Sequence, residues 1–488
     1  MSAASADSAI SRPDGRDLAH PATVGDAALA IGALVRSGGD PAAVYERVST
    51  DSRTIASGDL FFCLRGPTFD AHDFIADAVR AGAAGIVCEH GRGGAVPAAS
   101  ATAVIETGDT LAALGELAAW HRRGSSGPVI GVTGSNGKTT TKEMLRAILV
   151  AHHGADRVLA TRGNLNNLIG VPLTIFQITT THTAAVIEMG MNVPGEIARL
   201  TEISRPTVGV ITCVAEAHLE GLGTIEGVAR AKGELFEGLD AAAVAVVNCD
   251  DPNIVRESSR FAGRHLTFGS RGDVRAEDVR CDRISASTFD IAYAGERARV
   301  ELPLGGRHNV QNALAAAAAS IASGVPLATA AHGLSKMTPP PMRMSAEALP
   351  NGVTLVNDAY NANPGSLGAA LATLGGLDAR RIVVIGDMLE LGPRSAELHR
   401  RVGAQAAGIE PALLCAYGKF AADVAGGATG SGLDASRVLV CASHAQAADA
   451  VASVWLPGDA VLVKGSRGSA MEHVVERLRA TASGSASR

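Results

Sequence analysis

Aromatic side chains are scarce in this chain: 4 tyrosines, 2 tryptophans and 10 phenylalanines make up 3% of 488 residues. So thin a supply counts against a surface that stacks nucleic-acid bases. A surplus of positive charge is missing too. Lys and Arg number 43 against 49 Asp and Glu, the net charge is −6, and no basic stripe appears. Both features argue against a DNA or RNA partner. Any anion bound here must be met by a few locally concentrated cations. Arg53, Lys138, Arg343, Lys464 and Arg467, each in a Gly/Ser-rich or otherwise unusual context, are the candidates. Paired cysteines are absent as well. The 7 cysteines, at 63, 88, 213, 249, 281, 415 and 441, are odd in number and form no C-x-x-C. That fits a reducing, cytoplasmic setting without structural zinc. Cys63, Cys213, Cys415 and Cys441 read as small hydrophobes buried in strand-like runs. No 18-residue apolar run exists, so no membrane span or stable insertion is expected. Met1 to Gly15 has no apolar centre of the signal-peptide kind. Both ends, 1–15 and 481–488, are small and polar and are expected to be disordered.

Glycine, by contrast, is plentiful at 56 residues, and apolar residues reach 47%. That supports packed cores throughout a chain long enough for roughly two to four domains. The densest information lies in Gly131-Val-Thr-Gly-Ser-Asn-Gly-Lys-Thr-Thr-Thr141. A strand, Pro128–Thr133, precedes it. An amphipathic helix follows, with Met144, Leu145, Ile148 and Leu149 on one face. Glycines let backbone N–H groups turn inward around phosphate oxygens, and the helix N-terminus adds partial positive charge there. Within Gly134, Ser135, Asn136, Gly137, Lys138, Thr139 and Thr140, Lys138 suits the β/γ-phosphates of a nucleotide triphosphate and the Thr139 hydroxyl suits Mg²⁺. Val132 stands where the common P-loop pattern has its first glycine, so this is a variant, T-G-x-x-G-K-T-T.

An α/β chain in three parts is expected: a small N-terminal α/β domain (16–125), a central P-loop domain with a mostly parallel sheet (126–337), and a C-terminal Rossmann-like doubly wound domain (338–482). Gly124-Ser-Ser-Gly-Pro128 and Pro339-Pro-Pro341 are the joints. Central strands are expected to end at Thr133, Thr161, Glu188, Cys213 and Asn248. In the last part, strands at 353–356, 381–385, 413–417, 438–441 and 460–464 alternate with helices near 364–375, 395–408, 443–455 and 470–480. Asn363 should cap the helix that begins at Pro364.

Parallel sheets bind ligands beyond the carboxyl ends of their strands, which singles out certain polar residues. Glu188 ends a strand beside the phosphate loop, where a P-loop protein holds Mg²⁺, although a simple capping acid would look alike. His218, in A-E-A-H-L-E, follows another strand and could be a metal ligand or an exposed loop residue. Lys232 sits in a helix expected over 224–238 and by spacing alone reads as a solvated charge. Asn164 and Asn167, in T-R-G-N-L-N-N, are turn formers or donors to a peptide or phosphate. R-H-N-V-Q-N at 307–312 leads into an alanine-rich helix. N-D-A-Y-N-A-N-P at 357–364 and K-G-S-R-G-S at 464–469 follow strands of one domain, the second opening a helix, which suggests a shared crevice.

Taken together these runs resemble the ATP-dependent Mur ligases of bacterial cell-wall synthesis, from Thr50 to Glu472. The matching segments are T-G-S-N-G-K-T-T, G-N-L-N-N, E-M-G-M at 188–191, A-H-L-E, A-K-G-E-L-F at 231–236, R-H-N-V-Q-N, D-A-Y-N-A-N-P, G-D-M-L-E-L-G at 386–392 and K-G-S-R. The N-A-N-P and G-D-M-L-E-L-G runs, and the lack of D-N-P-R, favour the member that joins D-alanyl-D-alanine to a uridine-diphosphate muramoyl tripeptide. The alternatives are a relative adding a single amino acid and an ATP-binding regulator without catalysis.

The resemblance implies ATP and Mg²⁺ as cofactors, and an acyl-phosphate route with Lys138, Lys232 and His218 in catalysis. It gives Thr139, Glu188, His218 and a carbamylated Lys232 to metal. Asn309, Asn312, Arg343 and Asp358 would approach ATP. Thr50, Ser52 and Arg53 would hold the uridine diphosphate; Asn164, Asn167, Tyr360, Asn361, Lys464 and Arg467 would contact the peptide substrates. Asn357 stands where an aspartate is common, and Gly468 where a small hydroxyl is, departures expected to tune activity. A monomer is expected.

Overall fold

Two parallel sheets and a third that is parallel but for one edge strand, each built from its own stretch of chain, organise the molecule. The computed structural model describes residues 22–36, 39–98 and 100–485, so the expectation for Met1 to Gly15 lies outside the described residues. The first sheet joins β1 (Arg47–Ser49), β2 (Asp59–Phe62), β3 (Gly85–Glu89) and β4 (Ala103–Thr107) in that order. All pairings are parallel. Successive β2 residues serve opposite faces. Leu60 and Phe62 join Leu114 and Leu117 of the helix Thr110–Arg123, and Phe61 joins Ala71, Ile75 and Ala78. The fully buried Asp59 accepts from Arg47 Nε at 3.1 Å, Arg47 Nη2 at 2.6 Å and Ala56 N at 2.8 Å. A buried carboxylate is tolerated because it is paired and hydrogen-bonded.

The central sheet contains β5 (Val129–Thr133), β6 (Val158–Ala160), β7 (Ala184–Glu188), β8 (Val208–Ile211), β9 (Val244–Asn248) and β10 (Arg264–Phe268). Its order is β10-β9-β8-β5-β7-β6, with every pairing parallel. These strands are short apolar runs buried on both faces, as helices on both sides demand. β6 and β8 stop before Thr161 and Cys213, so Cys213 lies beyond its strand and is only half-buried. β5 sits between β7 and β8, and the chain leaves it in both directions, which opens a crevice at its carboxyl end.

The helix after β5, Lys138–His153, buries Met144, Leu145, Ile148 and Leu149 as its periodicity requires. It packs in one core with the helices Arg307–Ala322 and Leu327–Ser335. Small residues permit the close approach: Ala313 to Ala319 include only Leu314 as a large side chain, and Gly333 lies against Ile148.

An element absent from the sequence reading is the antiparallel sheet β11 (Arg275–Arg283), β12 (Ala286–Tyr293) and β13 (Glu296–Leu302). Its edge strand β11 is charged and mostly exposed, and its pairing with β12 is irregular, so no clean alternation marks it. Phe289, Ile291, Val300 and Leu302 nevertheless join the core under the Lys138 helix.

The third sheet runs β14-β15-β19-β16-β17-β18, from β14 (Ser345–Ala348), β15 (Thr354–Asp358), β16 (Arg381–Ile385), β17 (Leu413–Tyr417), β18 (Val438–Cys441) and β19 (Ala460–Lys464). Only β14, on the edge, is antiparallel. Asn363 caps the helix Pro364–Gly375 in a reciprocal box with Ser366. Three expectations change here. A helix at Ala421–Gly430 was missed because glycines dilute its pattern. Those glycines serve contact instead: a methyl group on Gly427 would run into the Arg400 carbonyl of the neighbouring helix Ser395–Ala407. Beyond Lys464 the chain makes a 3₁₀ turn, Arg467–Ser469, and the helix starts only at Glu472. That helix runs to Ser485, so Thr481 to Ser485 are ordered, held by the fully buried Leu478 and Ala482.

A Cβ on Gly333 would stand 2.5 Å from Ile148 Cα, a backbone atom that cannot swing aside. Gly333→Ala should therefore cost about 1–3 kcal/mol through overpacking. A lower denaturation midpoint checks this; an unchanged midpoint would show that the two helices can separate freely.

Candidate active site

A cleft of about 620 Å³ opens where the carboxyl ends of the central and C-terminal sheets meet. Ser135 to Thr140 form one wall. Gly137 adopts φ +82°, a left-handed conformation in which glycine is at ease, and a Cβ there would overlap Asn312 Oδ1. Gly134, also at positive φ, adjoins the wall without lining it. Lys138 opens the helix and its Nζ donates to Gly134 O at 2.6 Å. Burial lowers the lysine's pKa, nearby Glu188 opposes this, and Arg343 adds to it. Ser135 Oγ donates to Ala215 O at 3.0 Å, which pins the loop to the segment after β8.

Thr139 is the hub. Its Oγ1 donates to Glu188 Oε1 at 3.2 Å and accepts from Arg343 Nη2 at 3.0 Å, so side chains from both domains meet on one hydroxyl. Glu188 Oε1 also accepts from Asn166 Nδ2 at 2.8 Å. Its second oxygen, Oε2, is buried with no hydrogen-bond partner in a residue 2% exposed. An orphaned carboxylate oxygen beside a threonine hydroxyl fits a hard cation such as Mg²⁺. Among the described residues no three His, Cys, Asp or Glu side chains gather as a metal cage. Mg²⁺ commonly keeps waters and phosphate oxygens as its remaining ligands.

The C-terminal domain supplies the opposite wall. Asn136 and Asn363 pair through both amides, at 3.1 and 2.8 Å, across 227 positions of sequence. Arg343 lies 4.1 Å over the Tyr360 ring, between Met342 and Met344, both at positive φ. Lys464 Nζ donates to Asp358 Oδ2 at 2.6 Å and Asn361 O at 2.9 Å. Asp358 Oδ1 accepts from Met344 N at 3.0 Å. Both carboxylate oxygens of Asp358 are thus engaged within the protein.

Asn309 and Asn312 are buried, Asn312 Nδ2 donating to Asn309 Oδ1 at 3.2 Å. Asn167 stands just ahead of the helix Gly170–Ile175, and its Oδ1 accepts from Ile169 N at 3.2 Å and Gly170 N at 2.8 Å. Asn164, Asn167 and Arg467 line the cleft, and Arg467 pairs with Glu472 at 2.6 Å.

Other anticipated residues sit differently. His218 lines the cleft at a left-handed backbone position, its Nδ1 2.7 Å from Glu390 Oε2. That histidine holds the Glu390 carboxyl below its usual pKa. Lys232 is 1% exposed and does not line the cleft, contrary to the solvated charge that its spacing suggests. Burial drives its pKa well down, with Lys138 adding to the effect. Thr50, Ser52 and Arg53 lie past the end of β1, away from this cleft, and Arg53 is paired with its neighbour Asp51 at 2.6 Å.

Several lining residues escaped sequence reasoning: Asn166, Cys213, His308, Gln311 and Asn363 as a cleft residue. All but Cys213 lie inside motifs already recognised, so the signal was there without a way to rank residues. His308 is held to a pKa of about 4, chiefly by burial and against the pull of Asp358.

Family comparison accords with this geometry. Residues 44–122 match the model of the Mur ligase family, catalytic domain; 132–320 match the Mur ligase middle domain; 342–467 match the Mur ligase, glutamate ligase domain. The chain belongs to the Mur ligase family. It is 38% identical to the UDP-N-acetylmuramoyl-tripeptide–D-alanyl-D-alanine ligase of Escherichia coli, over 89% of this chain and 94% of that one. It is 36% identical to the Bacillus subtilis ligase of the same name, over 89% and 93%. A crystal structure of MurF from Acinetobacter baumannii superposes with a TM-score of 0.87 at 32% identity, covering 94% of this chain and 99% of that one. MurF ligase from Thermotoga maritima in complex with ADP gives 0.79 at 27% identity, covering 90% and 98%.

Gly137→Ala should weaken ADP binding by about tenfold or more, since its methyl group forces either Asn312 or the phosphate loop out of place. Calorimetric titration of ADP checks this. Wild-type affinity would mean that the loop can relax without loss of its cradle.

Proposed function

We propose that this chain joins UDP-N-acetylmuramoyl-tripeptide to D-alanyl-D-alanine at the expense of ATP, releasing ADP and phosphate. The observation that carries this reading is the convergence of Lys138, Thr139 and Glu188 from one domain with Arg343 from the next on a single cleft. The family and its curated relatives supply the substrate class.

A carboxylate is a poor electrophile, so the acid must first be activated. An oxygen of the tripeptide carboxylate attacks the γ-phosphorus of ATP. The new P–O bond forms as the bond to the β-phosphate oxygen breaks, giving an acyl phosphate and ADP. Lys138 and Arg343 face the negative charge that spreads over the transferring group. The D-alanyl-D-alanine amine then attacks the acyl carbon, and the C–N bond forms. The tetrahedral intermediate expels phosphate, and the amine's proton passes to solvent or a neighbouring base. Thr139 and Glu188, with His218 and a carbamylated Lys232, are the residues that would hold Mg²⁺, which when bound offsets phosphate charge. The Thr139–Arg343 contact and the Asn136–Asn363 pair hold the walls together and help exclude water from the anhydride.

Tyr360, Asn361, Lys464 and Arg467 line the wall nearest the incoming dipeptide in this reading, and Asn164 and Asn167 face the tripeptide. Thr50, Ser52 and Arg53 stand apart, which suits the distant uridine-diphosphate end of a long substrate. Asn309 and Asn312 support the loop that carries ATP, and Asp358 acts through Lys464. One chain supplies both walls, so a monomer suffices. All 7 cysteines are free, which agrees with a cytoplasmic home. No helix among the described residues is long and apolar enough to cross a membrane.

Labelling decides the route. With ¹⁸O in the tripeptide carboxylate, released phosphate should carry the label, and D-alanyl-D-alanine should outperform free amino acids as acceptor. Unlabelled phosphate would exclude the acyl phosphate.

Burial lowers the pKa of Lys232 well below a lysine's ordinary value, which favours the neutral amine, the form that adds carbon dioxide. If the carbamate supplies the anion, Lys232→Ala should lose at least ~10²-fold in turnover, as for loss of a charge-stabilising group. Small carboxylic acids should restore part of it. A fully active variant would dismiss the role.

A further inference from the structure

The reaction above gives no part to Lys142, although its placing is unusual. It stands one turn along the helix from Lys138 and is 1% exposed. Lysine is almost never so deeply buried unless it is paired. Its Nζ donates to Thr161 O at 2.8 Å and lies 2.8 Å from Glu143 Oε1. Thr161 follows β6 and starts the polar loop T-R-G-N-L-N-N. Its hydroxyl accepts from Glu188 N at 2.9 Å. Further along the loop, Asn166 reaches the side chain of the same glutamate, its Nδ2 donating to Oε1 at 2.8 Å. Asn166 O accepts from Gly190 N at 2.7 Å, and a Cβ on Gly190 would stand 2.9 Å from Asn166 Oδ1. The loop is thus tied at Thr161 and at Asn166 to the chain around Glu188.

We propose that Asn166 is a positioning residue for Glu188: its amide occupies Oε1 and leaves Oε2, the oxygen without a hydrogen-bond partner, for the metal, while Lys142 fastens the loop that carries Asn166. The proposal rests on the reading of Glu188 as a metal ligand. An ionised carboxylate only accepts, so the amide must turn its NH₂ group toward it. A hydrogen bond to a charged acceptor is stronger than a neutral one. Thr139 Oγ1 donates to the same Oε1 at 3.2 Å, so one oxygen takes both side-chain donors and the other takes none. Ligating carboxylates are commonly held by such outer partners. Without Asn166 the carboxylate could turn about its last bond. Lys142 acts at one remove. Loss of its ammonium would leave the buried Thr161 carbonyl without that donor and loosen the loop.

The test is Mn²⁺ binding to the full chain with ADP present, followed by electron paramagnetic resonance, which needs no turnover. Asn166→Ala should weaken Mn²⁺ binding by about tenfold or more, approaching the loss in Glu188→Gln. Metal-free ADP affinity should stay at its wild-type value in Asn166→Ala; a matching loss there would show a displaced phosphate loop and overturn the proposal. Lys142→Met should also weaken Mn²⁺ binding, but should add nothing in the Asn166→Ala background, because both act through one contact. An undiminished further loss in that background would overturn the part given to Lys142. Wild-type Mn²⁺ affinity in Asn166→Ala beside a loss in Glu188→Gln would overturn the positioning role. Wild-type affinity in both would overturn it together with the metal role of Glu188, while ¹⁸O transfer and product formation would still stand for the reaction.

Discussion

Parallel strands deliver their last residues to one edge of a sheet, and both large sheets of this chain turn that edge toward the same cleft. The arrangement depends on that constraint. β5 carries the phosphate loop, β7 carries Glu188, and the segment after β8 leads to His218, because all three strands run the same way. β15 and β19 bring Asp358 and Lys464 to the facing wall for the same reason. Antiparallel pairing would have sent half of these groups to the far side.

Charge in the cleft is arranged in pairs that are cheap to keep and useful to perturb. Lys464 and Asp358 satisfy each other deep in the C-terminal wall. Lys138 and Glu188 lie close enough to influence one another, and burial weakens the lysine's hold on its proton. Arg343 belongs to the other domain and reaches the same hydroxyl as Glu188. An arriving polyphosphate would meet cations already aimed and partly stripped of water, and such preorganised charge counts for more than the same charge in solution. The strained positions at Met342, Met344, His218 and Glu390 cluster at this seam, where local strain is repaid by contacts across the domains.

Much of the architecture was legible in the chain. The apolar strands at 381–385, 413–417, 438–441 and 460–464 stand where the pattern puts them, and the cap at Asn363 is as expected. These features are local: a buried strand needs an apolar run, and a cap needs one side chain within three residues. The antiparallel sheet over 275–302 and the helix at 421–430 escaped because their patterns are diluted by surface charge or by glycines that serve packing. The ordered end of the last helix escaped because composition alone cannot show that Ala482 is buried.

By itself the sequence determined the strands, the glycine-lined loop and the motifs, since each depends on residues near one another in the chain. Only the tertiary structure decided that Lys232 is buried, that Asp358 is spent on Lys464, that Arg53 turns to Asp51, and that Arg343 and Glu390 reach the other domain. Those outcomes depend on which distant groups share a dielectric and a hydrogen-bond partner. Such neighbours exist only once the domains have packed, and no local pattern encodes them.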